Sequence, residues 1–220
     1  SDSHEVATCY APIDEVHPLR PRGVYPLSKL IGENIVWATM RETGLPVTVI
    51  RPSGIASGDS ILGRWNVGFV SIILRAGQSH PESELYMRDG RELWRELEAA
   101  APSKETPCAI TDDKGRPWIY RPVDARDVAH ACVCALESPA AVGEAFNAAA
   151  PEPIYYPEAA EVLSEVTGLP VFKWQVPVRW VFDLTIAKAK TLIGYRPRWG
   201  IREMVADAVK FRKGESDGMS

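Results

Sequence analysis

Segments with apolar residues at helical spacing alternate along the chain with short runs of β-branched and aromatic residues. The first helix is predicted over residues 25–43, and it ends because Gly44 can adopt a left-handed conformation and Pro46 cannot continue a helix. A short β-branched strand is predicted directly after it, at residues 47–50. Further helices are predicted near residues 67–75, 90–99, 125–136, 157–166, 178–192 and 201–213, and further strands at residues 108–111, 118–121, 144–147 and 171–175. This alternation indicates an α/β architecture.

Three local patterns add detail to this assignment. An Asp-Asp-Lys-Gly turn at residues 112–115 lies between two predicted strands and predicts a β-hairpin. Asp124 is placed to cap the next helix, and Asp127 would lie in its first turn, where the helix dipole favours a negative charge. The pentapeptide Thr-Gly-Leu-Pro-Val occurs at residues 43–47 and again at 167–171, each time after a predicted helix. We interpret it as one helix-stop signal used twice, since nothing else nearby repeats.

The composition excludes several classes of protein. The 220 residues are 45% hydrophobic and 25% charged, which is ordinary for a globular domain, and the formal net charge of −4 does not favour binding to nucleic-acid phosphates. No apolar run approaches the roughly 18 residues of a membrane span, and no charged-then-apolar leader opens the sequence. Four cysteines in 220 residues do not form a disulfide framework. We therefore expect a globular, cytoplasmic protein with no nucleic-acid partner and no membrane partner.

A metal site is not expected from the cysteines. His130, Cys132 and Cys134 lie within one predicted helix, where residues two apart point in nearly opposite directions. These three side chains therefore cannot close on one ion, and Cys9 and Cys108 show no paired ligand spacing. We interpret the cysteines as small buried thiols.

Tyr25 and Lys29 form the pair of residues most suggestive of chemistry. They are four residues apart on the first predicted helix, so their side chains share a face. A phenol beside an ammonium group is easier to ionise, because the positive charge favours the phenolate, and such a phenol can serve as a proton donor or acceptor. The alternative interpretation is a solvated tyrosine and lysine on a helix surface.

A series of motifs surrounds this pair in a fixed order. They are Pro-Ile-Asp-Glu at 12–15, His-Pro-Leu-Arg-Pro at 17–21, Tyr-Pro-Leu-Ser-Lys at 25–29, Leu-Ile-Gly-Glu at 30–33, Arg-Pro-Ser-Gly-Ile-Ala-Ser-Gly at 51–58, Val-Asp-Ala-Arg-Asp-Val-Ala at 123–129, Gly-Glu-Ala-Phe-Asn at 143–147 and Leu-Ile-Gly-Tyr-Arg-Pro at 192–197. In this order they resemble the extended short-chain dehydrogenase/reductases, and within them the NAD-dependent epimerase/dehydratase family. The resemblance extends from residue 3 to about residue 204.

The resemblance implies a role for each matching residue. It implies that Tyr25 is the acid/base and that Lys29 binds the nicotinamide ribose of NAD or NADP. Ser3, or alternatively Ser1, would polarise the substrate oxygen, and the backbone from Pro52 to Ile55 would lie near the nicotinamide amide. The resemblance also implies a homodimer in which the helix carrying Tyr25 packs against its copy. Apolar residues on more than one face of that helix agree with this expectation.

The dinucleotide fingerprint is missing. None of the sixteen glycines has another glycine two positions away, so the sequence lacks the Gly-x-Gly-x-x-Gly pattern that binds a pyrophosphate. We therefore expect the C-terminal part of a Rossmann-like doubly wound parallel sheet plus a small α/β substrate-binding region. Residues 1–60 would be a remnant of the cofactor-binding domain. Residues 61–220 would bind mainly substrate, with segments near 118–150 returning to the sheet.

The substrate is the least defined feature. Nucleotide-sugar members of the family carry an arginine at the position of Tyr120, whereas here Arg121 follows one residue later. Asn66 and Arg121 are the expected substrate-binding residues. The resemblance favours an epimerase or dehydratase acting on a nucleotide-sugar. Two alternatives stay open: a reductase or dehydrogenase of a non-nucleotide alcohol or carbonyl, and a non-catalytic cofactor-binding relative. Arg121 distinguishes the nucleotide-sugar enzyme from the reductase or dehydrogenase, because it should point into the substrate cleft if a diphosphate is bound.

Overall fold

The structure is a computed structural model that describes residues 8–215, and its helix ends follow the predicted signals. Helix α1 (Val24–Thr43) ends at Gly44, which has a φ of 72° and donates its backbone N–H to the last helical turn at 2.9 Å. Gly168 ends helix α5 (Tyr156–Thr167) in the same way, with a φ of 71° and a bond of 2.9 Å. The repeated pentapeptide is therefore a helix-stop signal at both places, as predicted.

The other elements alternate along the chain. The remaining helices are α2 (Val67–Gln78), α3 (Leu93–Ala100), α4 (Ala125–Glu137), α6 (Ala187–Leu192) and α7 (Ile201–Arg212), with 3₁₀ turns at Gly58–Gly63 and Pro139–Ala141. The strands are β1 (Val49–Pro52), β2 (Ile55–Ala56), β3 (Cys108–Asp112), β4 (Ile119–Tyr120), β5 (Val123–Asp124), β6 (Ala145–Ala148), β7 (Ile154–Tyr155), β8 (Phe172–Val176) and β9 (Val181–Phe182). Between residues 8 and 215, no helix is both long enough and apolar enough to cross a membrane.

Parallel pairing dominates the strands. β1 pairs in parallel with β6, β2 with β5, and β3 with β8, while β4 pairs in parallel with β9 and antiparallel with β7. Parallel partners cannot be joined by a tight turn, so the intervening segments cross over as helices and loops. The predicted α/β fold class is confirmed.

One predicted element is wrong, and a second is confirmed only in part. The helix expected over residues 178–192 is replaced by strand β9 and the short helix α6, because the first part of this segment adds a strand to β4. The hairpin expected around residues 112–115 is present but short: Asp112 donates its backbone N–H to the Arg116 carbonyl at 2.8 Å, Trp118 donates to the Ile110 carbonyl at 3.3 Å, and Thr111 and Pro117 form an antiparallel bridge. Its two strands join different sheets, since each finds a longer-range partner.

Aromatic rings fill the core between β4 and β9. The rings of Trp180 and Phe182 stack with centroids 6.0 Å apart, and the Tyr120 ring stacks on Trp180 at 5.5 Å. We call this group the aromatic cluster; its members are Trp65, Trp118, Tyr120, Tyr156, Trp180 and Phe182, all of them buried. Buried aromatic rings contribute large apolar areas, so this cluster is the main hydrophobic anchor of the second half of the chain.

Helix α1 packs on one side only. Among its 20 residues only Pro26 is buried. The side facing the sheet is half-buried, whereas Val24, Leu27, Ile31 and Ile35 project outward; we call these four residues the α1 stripe. Ile35 is 59% exposed and Val24 is 85% exposed. A continuous apolar stripe on a helix surface is typical of a face that another surface covers.

Candidate active site

Helix α1 runs antiparallel to strand β1, which places its N-terminal end beside the carboxyl end of the strand. Near the end of β1, Arg51 donates to Glu33 of α1 from Nε at 3.1 Å and from Nη2 at 2.5 Å. At the opposite end of the helix, Met40 lies against Gly143, just before β6 begins. Tyr25 precedes Glu33 by eight residues, a rise of about 12 Å along a helix. Tyr25 therefore lies beyond the strand end, at the edge where ligands bind in open parallel α/β sheets.

Tyr25 and Lys29 occupy one face of α1. Nζ of Lys29 lies 5.1 Å from the centroid of the Tyr25 ring. Tyr25 is 65% exposed, and Lys29 is exposed as well, so solvent-sized and larger molecules can reach both. Buried Pro26 lies between them and anchors the first helical turn to the body of the protein. The geometry brings a hydroxyl and an ammonium group together at an open helix end.

The clamp between Glu33 and Arg51 fixes the angle of α1 on the sheet. Burial opposes ionisation of Glu33, but hydrogen bonds from Arg51 and Trp37 hold the pKa of its carboxyl below its usual range. Arg51 also donates from Nη1 to the Glu15 carbonyl at 2.8 Å. Glu15 in turn accepts the backbone N–H of Asn147 in β6 at 2.8 Å. One charged network therefore ties together the helix, both strands and the segment before the helix.

The loop after β1 borders the same edge and is held tightly. Ser53 donates its hydroxyl to the Arg121 carbonyl at 2.6 Å and is buried. Gly54 lies so close to Tyr120 that a methyl group at Gly54 would collide with the tyrosine hydroxyl. This contact joins residues 52–55, predicted to lie near nicotinamide, to the edge of the aromatic cluster. Burial raises the pKa of Tyr120, and the nearby Arg64 charge opposes that shift.

The Arg121 side chain is directed into the protein. It is 8% exposed, and Nη1 pairs with a carboxylate oxygen of Asp183 at 3.1 Å. The same guanidinium donates from Nε to the Ala150 carbonyl at 2.9 Å and from Nη2 to the Pro151 carbonyl at 2.7 Å. These bonds occupy the guanidinium fork that a diphosphate would need. The structure therefore does not bring Arg121 together with Tyr25 and Lys29.

Asn66, an expected substrate-binding residue, lies at the end of a turn over residues 64–66 that the sequence analysis did not predict. It caps α2, with Oδ1 accepting the Phe69 backbone N–H at 2.9 Å. Its neighbour Trp65 has a φ of 50°, the one positive φ outside glycine between residues 8 and 215, and its side chain is 0% exposed. Arg64 precedes it, with its guanidinium carbon 4.8 Å from the centroid of the Phe69 ring. The turn therefore carries a cation at Arg64 and an amide at Asn66.

Ser3 and the fallback Ser1 lie outside the described residues. A surface cavity of ≈ 400 Å³ lies elsewhere, between α2 and α3, where Ser71 donates to Glu98 at 2.6 Å. None of the predicted site residues lines this cavity. Within residues 8–215 no three histidine, cysteine or acidic side chains converge to hold a metal ion.

Two residues near the site could not be found by the sequence reasoning. Glu33 is eighteen positions from Arg51, and no spacing rule links a helix glutamate to a strand arginine. Arg64 was not found either, because the lack of an acidic partner within residues 8–215 is recognisable only in three dimensions. A signal for Tyr120 did exist, since a tyrosine stands where an arginine was expected.

Comparison with protein families identifies a matching model. Residues 2–149 match the model described as the NAD dependent epimerase/dehydratase family. This match covers more than half of the chain and includes the segments of Tyr25, Lys29 and Asn66. A comparison with curated protein sequences gives no match.

Solved structures share the fold. A short-chain dehydrogenase/reductase superfamily protein from Agrobacterium tumefaciens, with bound NAD, is 21% identical with a TM-score of 0.74, over 97% of this chain and 66% of that one. UDP-glucuronic acid 4-epimerase from Bacillus cereus, in complex with UDP-glucuronic acid and NAD, is 16% identical with a TM-score of 0.61, over 97% and 60% of the two chains. RMD from Pseudomonas aeruginosa, complexed with NADPH, is 18% identical with a TM-score of 0.59, over 93% and 60%. The chain therefore spans less than two thirds of the length of each.

Proposed function

Because the chain belongs to the NAD-dependent epimerase/dehydratase family, we propose that it carries the acid/base site of an enzyme that transfers hydride between a nicotinamide cofactor and a substrate alcohol or carbonyl. The observation that supports this most directly is the contact of Lys29 with the Tyr25 ring, at 5.1 Å, on an open helix end. Both groups lie beyond the carboxyl end of β1, where small molecules bind in such sheets.

Tyr25 exchanges a proton with the substrate oxygen. During oxidation the substrate hydroxyl gives its proton to the Tyr25 oxyanion while hydride leaves the same carbon; during reduction the Tyr25 hydroxyl returns a proton to the forming alkoxide. The Lys29 ammonium stabilises the oxyanion because the two side chains lie on one helix face. Ser3 is proposed to donate a hydrogen bond to the same substrate oxygen.

The residues present fit the nicotinamide end of NAD or NADP. Lys29 is exposed and has no carboxylate partner between residues 8 and 215, so its ammonium donors are available to ribose hydroxyls. Pro52 and Ile55 bound the loop proposed to lie beside the nicotinamide amide, and Ile55 is 49% exposed. When bound, the nicotinamide supplies the hydride acceptor or donor.

The substrate is proposed to be a non-nucleotide alcohol or carbonyl compound. Arg121 supports this, because its guanidinium is buried against Asp183 and backbone carbonyls. A nucleotide-sugar, which the sequence resemblance favoured, is the second candidate. The fold similarity to the epimerase solved with UDP-glucuronic acid supports that candidate. Asn66 is proposed to contact substrate in either case.

A second copy of the chain is the proposed partner of α1. The α1 stripe forms an exposed apolar surface along the helix that carries Tyr25 and Lys29. Packing this stripe against its copy would remove it from water and would place two active-site helices in one assembly. The enzyme is thus proposed to be a homodimer.

The cytoplasm is the proposed location. Cys9, Cys108, Cys132 and Cys134 are all free thiols. Burial raises the pKa of Cys108 to about 12, so this thiol stays protonated and inert at neutral pH. Unpaired cysteines are typical of proteins in a reducing compartment.

The test is a cofactor-linked assay of this chain, expressed with any sequence that precedes residue 1 in its gene. The substrates are glucose, glucuronate and UDP-glucose, each with NAD and with NADP. Tyr25→Phe is expected to lower kcat by about 10²- to 10⁴-fold, whereas Tyr155→Phe, at a 41% exposed tyrosine away from α1, should leave kcat unchanged. Full activity of Tyr25→Phe would overturn the acid/base role. Cofactor binding without turnover of any substrate would favour a non-catalytic relative.

A further inference from the structure

Among the buried and half-buried arginines of residues 8–215, Arg64 differs from the others in its partners. Arg51 pairs with Glu33, Arg121 with Asp183, and Arg126 with Asp124 and Asp207. The remaining one, Arg179, donates to the Pro117 carbonyl at 3.1 Å. The half-buried Arg64 has neither an acidic partner nor a side-chain hydrogen bond between residues 8 and 215; its contact is the face of the Phe69 ring. A partly desolvated cation of this kind retains unused donors for an anion.

The backbone that presents Arg64 is held in an unfavourable conformation. Trp65 adopts a φ of 50°, which L-residues other than asparagine and aspartate rarely do. Its carbonyl accepts the Cys108 backbone N–H at 2.9 Å, and Val67 donates to the Thr106 carbonyl at 3.0 Å, so the start of strand β3 and the segment just before it hold both sides of the turn. Strain that is maintained by surrounding structure is a recurring feature of ligand-binding sites.

Further donors lie on the same turn. Because Oδ1 of Asn66 is occupied by its helix-capping bond, its Nδ2 group has two N–H donors available. Nε1 of Trp65 is buried and has no hydrogen-bond partner among residues 8–215. Arg64 and Asn66 therefore both carry unused donors on this turn, and no carboxylate in the described residues pairs with Arg64.

The turn also connects to the proposed reaction site. The Tyr120 ring lies between them: its centroid is 5.8 Å from that of Trp65, and its hydroxyl touches Gly54 in the loop after β1. The Arg64 charge acts on the Tyr120 hydroxyl, where it opposes the effect of burial on the pKa. The Arg64 charge is therefore near the Tyr120 hydroxyl, which borders the loop proposed to lie beside nicotinamide.

We propose that Arg64 is a specificity-determining residue that binds the carboxylate of a small hydroxy acid, assisted by Asn66. This inference rests on the proposed function, because the alcohol of that acid would be the group oxidised at Tyr25. A planar guanidinium matches a carboxylate through two parallel hydrogen bonds. One positive charge balances one negative charge, whereas a diphosphate would need cationic partners that the buried Arg121 does not provide.

Binding to the 220-residue chain tests the proposal without requiring turnover. The probes are glucuronate, neutral glucose, glucose 6-phosphate and UDP-glucose, and the readout is the ¹⁵N–¹H resonance of the Trp65 indole. Glucuronate is expected to shift this resonance, while glucose at the same concentration leaves it in place. Arg64→Gln should weaken glucuronate binding by roughly 10- to 100-fold, as expected for loss of hydrogen bonds to a charged group.

A matched control shows whether an effect of Arg64→Gln comes from this position or from the loss of one positive charge. Arg75 also lies over an aromatic ring, with its guanidinium carbon 4.0 Å from the Trp94 ring centroid, but it faces α3 and lies 3.9 Å from the Glu98 carboxylate. Arg75→Gln should bind glucuronate like the parent. Arg64→Lys keeps the charge and loses the fork, so an intermediate loss is expected. It provides a second variant if Arg64→Gln does not fold.

Several outcomes would overturn the proposal. These are unchanged glucuronate binding in Arg64→Gln, equal shifts with glucose and glucuronate, and tighter binding of glucose 6-phosphate or UDP-glucose than of glucuronate. Turnover then distinguishes failure of this proposal from failure of the proposed function. If Tyr25→Phe abolishes turnover but Arg64→Gln leaves KM for glucuronate unchanged, the acid/base site stands and the carboxylate anchor does not.

Discussion

Helices α1 and α2 are positioned in opposite ways, although the proposed site takes residues from α1 and from the turn directly before α2. Of the 20 residues of α1 one is buried, whereas six of the 12 residues of α2 are buried. α2 is positioned by apolar contact with the core around the aromatic cluster. α1 is positioned by a charged clamp to β1 and by its first and last turns. The reacting groups Tyr25 and Lys29 therefore lie on the less buried helix, α1. The turn that carries Arg64 and Asn66 precedes the more buried helix, α2.

The largest expected effect on the free energy of unfolding is at Trp118 in the aromatic cluster. Trp118 is 0% exposed and donates its indole N–H to the Val178 carbonyl at 3.0 Å. Trp118→Ala should lower the free energy of unfolding by about 3–5 kcal/mol, because it leaves a cavity among the other rings. Urea denaturation monitored by circular dichroism measures this loss. Ile35→Ala on α1 is the control and should cost under about 0.5 kcal/mol; equal losses would abolish the contrast between the helices.

The charged clamp should matter next. Glu33→Gln removes the carboxylate from Arg51 and should lower the free energy of unfolding by about 1.5–3 kcal/mol at neutral pH. Since the folded-state pKa of Glu33 is below its ordinary value of 4.5, the clamp contributes fully above that value. Its contribution is then lost as the pH falls below 4.5 through the lowered pKa. The difference in the free energy of unfolding between the variant and the parent should therefore be large at neutral pH and small at acidic pH, as measured by denaturation at both. A difference that does not change with pH would contradict the clamp.

The contact between the loop after β1 and the aromatic cluster should have a smaller effect on the free energy of unfolding. Gly54→Ala should lower the free energy of unfolding by about 1–3 kcal/mol, because the new methyl collides with the Tyr120 hydroxyl inside a stacked cluster. Adding Tyr120→Phe removes the colliding oxygen and should recover most of the loss. Thermal melts of the two single variants and the double variant form the required cycle. Simple additivity would show that the loop and the cluster do not touch as described.

The smallest effect on unfolding is expected at the α1 stripe. Ile31→Ser should change the free energy of unfolding by under about 0.5 kcal/mol at concentrations where the chain is monomeric. The same change should shift the protein from dimer toward monomer in light scattering, because it places a hydroxyl in the proposed interface. Ile72→Ser, at an exposed isoleucine of α2, is the matched control. A monomeric parent would remove the homodimer from the proposal.

Sequence reasoning succeeded where the signals are local. The two glycine-ended helices, the Asp124 cap and the parallel-sheet class follow from short patterns, and the structure contains all of them. Residues 178–192 were predicted as a helix although Val178, Trp180, Phe182, Leu184 and Ile186 alternate with less buried residues. This period of two is a strand signal, and a strict count of the apolar spacing would have found it.

The candidate site divides in the same way. The spacing of Tyr25 and Lys29 places them together on any helix, so their contact could be predicted. The partners of Arg121 and the lack of an acidic partner for Arg64 depend on segments far apart in the chain. No local pattern records which charges a fold has already neutralised. Substrate-binding arginines are therefore harder to assign from sequence than the acid/base pair.

The turn at Trp65 limits how the pocket can change by mutation. Glycine at this position would relieve roughly 1–2 kcal/mol of left-handed backbone cost, but loss of a fully buried tryptophan side chain costs about 3–5 kcal/mol. Replacing Trp65 by glycine would therefore lower the stability of the fold, and the strained backbone at this position is retained. Arg64 and Asn66 are less buried and bear less of this constraint. Substrate preference could thus diverge through these two flanking residues, while the turn that presents them stays the same.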